Sequence, residues 1–192
     1  NVSSFDELQD DYMNNIISIL KNSNKLTAAW NEAALPPHND IGSAGSSGKV
    51  DKSCIIFAWE HEDVGLMSVK KGFKTVLCPG HKTYFDMAHN NSTYERGICW
   101  ASTIEVKEVF EWKPLQSYNS DEIINILGIQ GQLWSETITN EDYFDEMINP
   151  RLAALAEIAW CSKAKRSWSQ FRSSLLNNME HLVKMGWKFH TF

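Results

Sequence analysis

Apolar residues along this chain follow two alternating rhythms. Ser4 and Glu7 stand at capping-box spacing, and behind them Leu8, Tyr12, Ile16, Ile19 and Leu20 recur at helical period. They predict an amphipathic helix ending near Asn22-Ser23-Asn24. Residues 26–30, 54–59 and 73–78, and the run Ile123, Ile124, Ile126, Leu127, Ile129, are short and almost uniformly apolar, as strands covered on both faces are. Between the second and third of them a helix is expected over 62–71, stopped by Gly72. Later, Asn140 is placed to cap a helix reaching Ile148. Pro150 opens another, with Leu152, Leu155, Ala156 and Ala159 packing inward. Ser167 and Gln170 repeat the capping spacing before a stripe of Phe171, Leu175, Leu176, Met179, Leu182 and Val183, so terminal helices are expected over 150–186.

Strand, helix, strand, helix with nearly continuous apolar strands is the pattern of parallel βα units, an α/β class. Pro36-Pro37 and the run GSAGSSG over 42–48 interrupt it and predict a flexible surface insertion over 36–52, after which the same rhythm resumes. Residues 81–121 form a long connection, of the kind that carries function in compact barrels. The ends of the four apolar runs carry Trp30, Trp59, Tyr84 and Trp134, where parallel βα folds place their working loops.

Charge and composition narrow the function. A formal net charge of -6 without a basic cluster argues against nucleic-acid binding. No apolar run approaches the roughly 18 residues that span a bilayer. The chain starts at Asn1, which predicts a processed or truncated piece of something longer. Four cysteines, Cys54, Cys78, Cys99 and Cys161, lack metal spacing and read as buried thiols, with a single non-local disulfide as the alternative. The histidines show no metal-site spacing, and neither a metal nor a cofactor is expected. Sequons at Asn1, Asn90 and Asn91 would fit a secreted, lysosomal or periplasmic setting. Glu95 and Arg96 are expected to pair with each other and hold the long connection, and Trp112, Trp160, Trp168 and Trp187 to pack between helices and barrel.

Eight tryptophans are many for this length, and sugar binding accounts for such an excess, because axial C–H groups pack on indole faces. In LGIQGQLWSE, Trp134 and Glu136 supply a flat aromatic and a hydroxyl acceptor two residues apart. Taken alone, the pair reads first as a core indole on a buried strand followed by a helix-capping carboxylate. Its neighbours decide. WNE at Trp30, AWE at Trp59, YFDM at Tyr84, ERGICW ending at Trp100, GQLWSE at Trp134 and PRLAALAEIAW at 150–160 resemble, in order, the second half of a family 20 β-N-acetylhexosaminidase of the chitobiase or hexosaminidase type. The resemblance covers roughly residues 3–162 and implies the second half, strands 5 to 8, of a (β/α)8 TIM barrel, with 1–192 as the C-terminal half of a catalytic domain.

Carried over by resemblance, Trp30, Trp59 and Trp134 look like the indoles that wall the N-acetyl group and floor the sugar. Tyr84 looks like the hydroxyl on the acetamido oxygen. Asp86 and Glu136 resemble the carboxylates that accept from ring hydroxyls O4 and O6, and Trp100 resembles the platform for the next sugar outward. The family's substrate-assisted, retaining mechanism uses the acetamido oxygen as nucleophile, so positioning carries much of the catalysis. Its general acid and partner are an adjacent Asp-Glu pair ending strand 4, and this chain starts beyond that strand. Asp6-Glu7, Asp121-Glu122 and Asp145-Glu146 do not stand at strand ends, so no catalytic residue is expected here.

Three functions remain open: a glycosidase half removing terminal N-acetylhexosamine from oligosaccharides, active only with a companion chain or segment bearing strands 1 to 4; a non-catalytic sugar-binding derivative; or a different barrel enzyme. Half a barrel exposes strand edges and apolar surface. Residues 1–192 expressed alone should therefore show no sharp cooperative transition in thermal unfolding of a monomeric sample, and such a transition without an added partner would contradict the half-barrel expectation.

Overall fold

A computed structural model describes residues 3–36 and 45–192. The chain divides into two compact units, Asn1–Pro79 with Pro114–Ile129, and Gly80–Lys113 with Gln130–Phe192.

The first unit opens with α1 (Phe5–Asn22), capped by the Ser4 hydroxyl on the Glu7 amide. β1 (Ala28–Trp30) runs into a single 3₁₀ turn, Asn31–Ala33. β2 (Ile55–Ala58), α2 (Glu62–Lys70) and β3 (Lys74–Leu77) follow. The four strands, closed by β4 (Ile126–Ile129), lie in chain order β1-β2-β3-β4 with every pairing parallel. This is the expected βα arrangement, and strands laid side by side in sequence fit part of a (β/α)8 barrel. The core gathers Ile17, Leu35, Val50, Cys54, Ile56, Val64 and Phe73.

Two expectations shift in this unit. Of the stripe assigned to α1, Leu8, Tyr12 and Ile19 are exposed, while Asp10 and Ile17 are buried and Met13 packs on the core. Asp10 turns inward because the chain around residue 47 supplies its partners. Ser46 donates to one carboxylate oxygen, and the Ser47 hydroxyl and the Lys49 amide donate to the other at 2.5 and 3.0 Å. Of the insertion expected over 36–52, residues 37–44 lie outside the described residues, as do His38 and the first two residues of the Asn1 sequon. The remainder is pinned rather than free, with Ser46 and Val50 buried.

The second unit begins with α3 (Gly80–Thr83) and contains α4 (Val106–Glu111); α5 (Ser120–Ile123) belongs to the first. α6 (Glu141–Ile148), capped by Asn140 as expected, leads to α7 (Arg151–Trp160) and α8 (Trp168–Lys184). α7 does not present the expected face. Leu155 is inside, but Leu152, Ala156 and Ala159 are exposed, and Arg151, Ala154 and Ile158 complete the inner side. The cause is Arg151, whose fully buried guanidinium donates to the carbonyls of Phe85 (2.6 Å), Met87 (2.7 Å), Ile104 (3.2 Å) and Met147 (3.0 Å). α8 buries Leu175 alone among its stripe, leaves Leu176 and Val183 exposed, and receives no capping bond from the Ser167 side chain. Trp112 is buried as expected and Trp168 stacks near Phe110, but Trp160 is 91% exposed.

Within this unit the segment 84–104 is tied at several points. Ala88 donates to the Ile98 carbonyl (2.8 Å) and Ile98 to that of Asp86 (3.0 Å). Gly97 sits at φ +104° where a Cβ would come within 2.7 Å of Ala88 N and Asp86 O, so only glycine lets these strands close. Glu95 and Arg96 form no ion pair with each other, although the Arg96 amide donates to Glu95 Oε1 at 3.3 Å. Glu95 accepts from Asn90 (2.8 Å) and pairs with His190 (3.0 Å), while Arg96 reaches Glu146 (3.5 Å) and lies over the Tyr143 ring. His190 stacks on buried His89 at 3.7 Å, which ties the chain's last residues to the same segment. Burial, with the nearby Arg151 cation and His190, drives His89 down to about 2, so that ring is neutral and its Nε2 lies 3.1 Å from the Glu146 carbonyl. None of the four cysteines is in a disulfide; Cys54 and Cys78 are buried as expected, whereas Cys161 is half-buried and Cys99 exposed. No helix among the described residues is long and apolar enough to cross a membrane.

Two outcomes follow from these anchors. Burial pushes the Asp10 carboxyl up, and the hydrogen bonds from Ser46, Ser47 and Lys49 outweigh it, so its pKa lies below the usual carboxylate value. Its stabilisation is therefore complete above the unfolded value of about 4 and is lost as pH falls through the lower folded one. Asp10→Ala should cost about 2–4 kcal/mol in urea unfolding at neutral pH and flatten the acid limb of the stability profile. Arg151→Met should cost about 3–5 kcal/mol by the same measurement, because several buried carbonyls lose their donor together.

Candidate functional site

The residues singled out by sequence fall into two sets, one in each unit. In the first unit, Trp30 ends β1, half-exposed, with its ring edge-on to Phe57 at 5.9 Å. Trp59 follows directly on β2. Its amide donates to the Asn31 side chain (3.1 Å) and its indole Nε1 to Glu32 Oε1 (2.9 Å). The 3₁₀ turn after β1 thus fixes the indole at both its backbone and its ring. Sequence reasoning quoted Asn31 and Glu32 within WNE but gave them no task. The available signal was that a polar pair directly after an apolar strand stands beside the end of the neighbouring parallel strand.

In the second unit, β3 has already ended at Leu77, and Tyr84 lies beyond α3 in a short extended pairing with Gln132. Trp134 likewise lies past the end of β4, so these two aromatics stand on loops and not on the strands proper. They are nonetheless brought together. The Tyr84 ring lies edge-on to Trp100 at 5.9 Å and tilted against Trp134 at 6.2 Å. Tyr84 is buried, while Trp100 and Trp134 each keep an open face.

Asp86 sits beneath this cluster at 1% exposure. One oxygen accepts from the Trp134 amide at 3.4 Å; the other, Oδ2, has no hydrogen-bond partner among the described residues. Burial raises its pKa above the ordinary carboxylate value, and Glu136 adds to this, while hydrogen bonds and the Arg151 cation oppose it. Glu136 itself is exposed at the rim. The arrangement offers aromatic walls and a dry acceptor, groups suited to holding a neutral polyhydroxylated ring.

The structure places the three adjacent Asp-Glu pairs named from sequence on helices, Asp6-Glu7 on α1, Asp121-Glu122 on α5 and Asp145-Glu146 on α6. No cluster of His, Cys, Asp and Glu fit to hold a metal occurs among the described residues. A separate cavity lined by His89, Asn90, Glu105, Trp168, His190 and Phe192 shares no residue with the aromatic set.

Two further residues escaped the sequence. Gln132 stands two positions before Trp134, the strand period that places both on one face, and this spacing was the signal. Arg151 was visible only as a lone cation opening the otherwise apolar run RLAALAEIAW.

Comparison with known proteins agrees with this geometry. The family described as glycosyl hydrolase family 20, catalytic domain, matches residues 1–163. A β-hexosaminidase of Vibrio furnissii is 34% identical over 152 residues, spanning 78% of this chain and 23% of that protein. A β-N-acetylhexosaminidase of Cellulomonas fimi is 24% identical over 176 residues, 90% of this chain and 33% of its own length. Among solved structures, the family 20 exo-β-N-acetylglucosaminidase of Vibrio harveyi in complex with N-acetylglucosamine superposes with a TM-score of 0.86 at 30% identity, covering 98% of this chain and 28% of that one. The chain thus spans between a fifth and about a third of the length of these relatives. With its family matched over most of its residues and a parallel sheet in barrel order, the chain belongs to glycosyl hydrolase family 20.

Proposed function

We propose that this chain is the sugar-holding part of a β-N-acetylhexosaminidase that releases terminal N-acetylhexosamine from oligosaccharides. It would work with a companion chain or segment that supplies barrel strands 1 to 4 and the Asp-Glu pair. The observation that carries this reading is the cluster of Tyr84, Trp100 and Trp134 over a buried Asp86 whose second oxygen awaits a donor. A sugar hydroxyl is such a donor, and an indole face is the surface its ring packs on.

In the substrate-assisted scheme the acetamido oxygen attacks the anomeric carbon and the displaced glycosidic oxygen takes a proton from the companion's acid, which keeps the configuration after hydrolysis. In the second unit, Trp134 would pack on the sugar and Tyr84 would hydrogen-bond the nucleophilic oxygen; Trp30 and Trp59 of the first unit keep the role of acetamido-walling indoles that the resemblance implies. Asp86 and Glu136 would fix the ring through O4 and O6, and Trp100 would carry the next sugar. Positioning of this kind is worth several orders of magnitude when the reacting atoms are held close. The placement of all three Asp-Glu pairs on helices supports assigning the acid to the companion.

The test is hydrolysis of a chromogenic aryl N-acetylglucosaminide by the intact protein. Asp86→Asn should lower kcat/KM roughly 100-fold, about 3 kcal/mol of transition-state stabilisation, and Trp134→Ala by a similar factor. Binding of N-acetylglucosamine without any release of the aryl group would instead identify a non-catalytic derivative of the same barrel.

A further inference from the structure

One more side chain stands among these residues without an assigned task. The Phe85 amide donates to the Gln132 carbonyl at 2.7 Å and the Gln132 amide to that of Thr83 at 3.0 Å, a short parallel ladder in which Tyr84 faces Gln132. Paired residues of a ladder project to one side and their chain neighbours to the other. Gly131 identifies the other side: a Cβ on it would lie 2.7 Å from Phe85 Cε2 and 3.0 Å from Leu155 Cδ2, so that face is packed against Phe85 and α7. Gln132 therefore shares the face of Tyr84, whose ring meets Trp100 and Trp134.

Gln132 is 8% exposed, and neither its Oε1 nor its Nε2 has a hydrogen-bond partner among the described residues. A carboxamide dried on both its donor and its acceptor side is costly, and folds keep few of them. Some buried polar groups elsewhere are matched, Asn31 to the Trp59 amide, Ser68 to Thr75, Arg151 to its carbonyls; single atoms of Thr27, Tyr118 and Thr137 are left open, but among the described residues Gln132 alone has both polar atoms of its side chain buried without a partner. The open Gln132 amide and the open Asp86 Oδ2 thus both belong to the segments that carry Tyr84 and Trp134.

We propose that Gln132 is a substrate-binding residue whose carboxamide engages the hydroxyls of the sugar ring held at Trp134. Every ring hydroxyl both donates and accepts. A carboxylate, when ionised, can only accept, so a site built from carboxylates and indole faces leaves hydroxyl lone pairs unanswered. The Gln132 Nε2 group supplies the missing donor, and Oε1 accepts from the neighbouring hydroxyl. A ring with one hydroxyl removed or inverted then leaves part of the amide dry, which makes Gln132 a determinant of which sugars are retained.

This inference rests on the proposed function, and one set of measurements separates the two. Calorimetric titration of the intact protein with N-acetylglucosamine is compared across Gln132→Met, Gln132→Glu, Asp86→Asn and Trp134→Ala, with thermal unfolding of each. Methionine keeps the length and removes both polar atoms, and glutamate keeps the acceptor and removes the donor. The expected result is about tenfold weaker binding in Gln132→Met at an unchanged or raised Tm, and a smaller loss in Gln132→Glu. Wild-type affinity in Gln132→Met, with binding lost in Asp86→Asn and Trp134→Ala, overturns the role of Gln132 and leaves the site standing. A Tm lowered in Gln132→Met with affinity intact also overturns it, since the amide then serves another part of the protein. Absence of sugar binding in the unsubstituted protein sinks both.

Discussion

The guanidinium of Arg151 is the interaction on which the site-bearing unit hangs. A cation with no access to water is held by the carbonyls of Phe85, Met87, Ile104 and Met147, with its charge also above the edge of the Phe85 ring at 5.4 Å. Burial draws its pKa down to about 9, which still leaves it charged at neutral pH. Two of those carbonyls flank Asp86 directly, so the turn carrying the dry carboxylate is fastened to the first residue of α7. The same charge works against the larger effect of burial, which raises the Asp86 pKa. One long side chain thereby fastens the turn that carries the group proposed to meet a sugar hydroxyl.

The other unit solves the matching problem without a buried cation. Trp59 follows a strand of four residues and would be free to swing, but Asn31 takes its amide and Glu32 its indole N–H. Aromatic rings are useful to a sugar only when their planes are preset, because an indole that must be ordered on binding spends part of the contact energy on its own entropy. Apart from Trp30, which ends β1, these aromatic residues stand on connections, and the connections are held by short polar contacts. Rigid loops on a parallel sheet are how this architecture carries ligand chemistry.

The sheet was legible from sequence because its signal is local and strong. Fully covered parallel strands need unbroken apolar runs, and 26–30, 54–59 and 73–78 each contain the observed strand. Caps at Ser4 and Asn140 were legible for the same reason, each being settled within a few residues. Helix faces were not. On α1 the apolar period selected Leu8, Tyr12 and Ile19, yet Asp10 turns inward because its partners arrive from residues 46–49. On α7 the period missed Arg151, three of whose partners lie 47 to 66 residues away in sequence. Hydrophobic period weighs what a residue loses by exposure and cannot register what a distant hydrogen-bond partner returns. The site divides the same way. Its aromatics and carboxylates announced themselves as motifs, whereas Gln132 shows itself only once the Tyr84 pairing and the Gly131 contact fix which way it points.

Two buried groups without protein partners, Asp86 Oδ2 and Gln132, would be defects in a purely structural protein, since each unmade hydrogen bond to a dry group costs on the order of 1–3 kcal/mol. The same fold satisfies Arg151, a far more demanding group, so an inability to arrange donors does not account for them. The two open groups belong to the segments that carry Tyr84 and Trp134. On the proposed reading, stability is given up where a ligand would restore it, and the cost falls on the unliganded state. A hydroxylated ring would repay it and a flat apolar one would not, so the deficit itself would discriminate between ligands. Selectivity would then come from what Asp86 and Gln132 lack as much as from the surface that Trp100 and Trp134 provide.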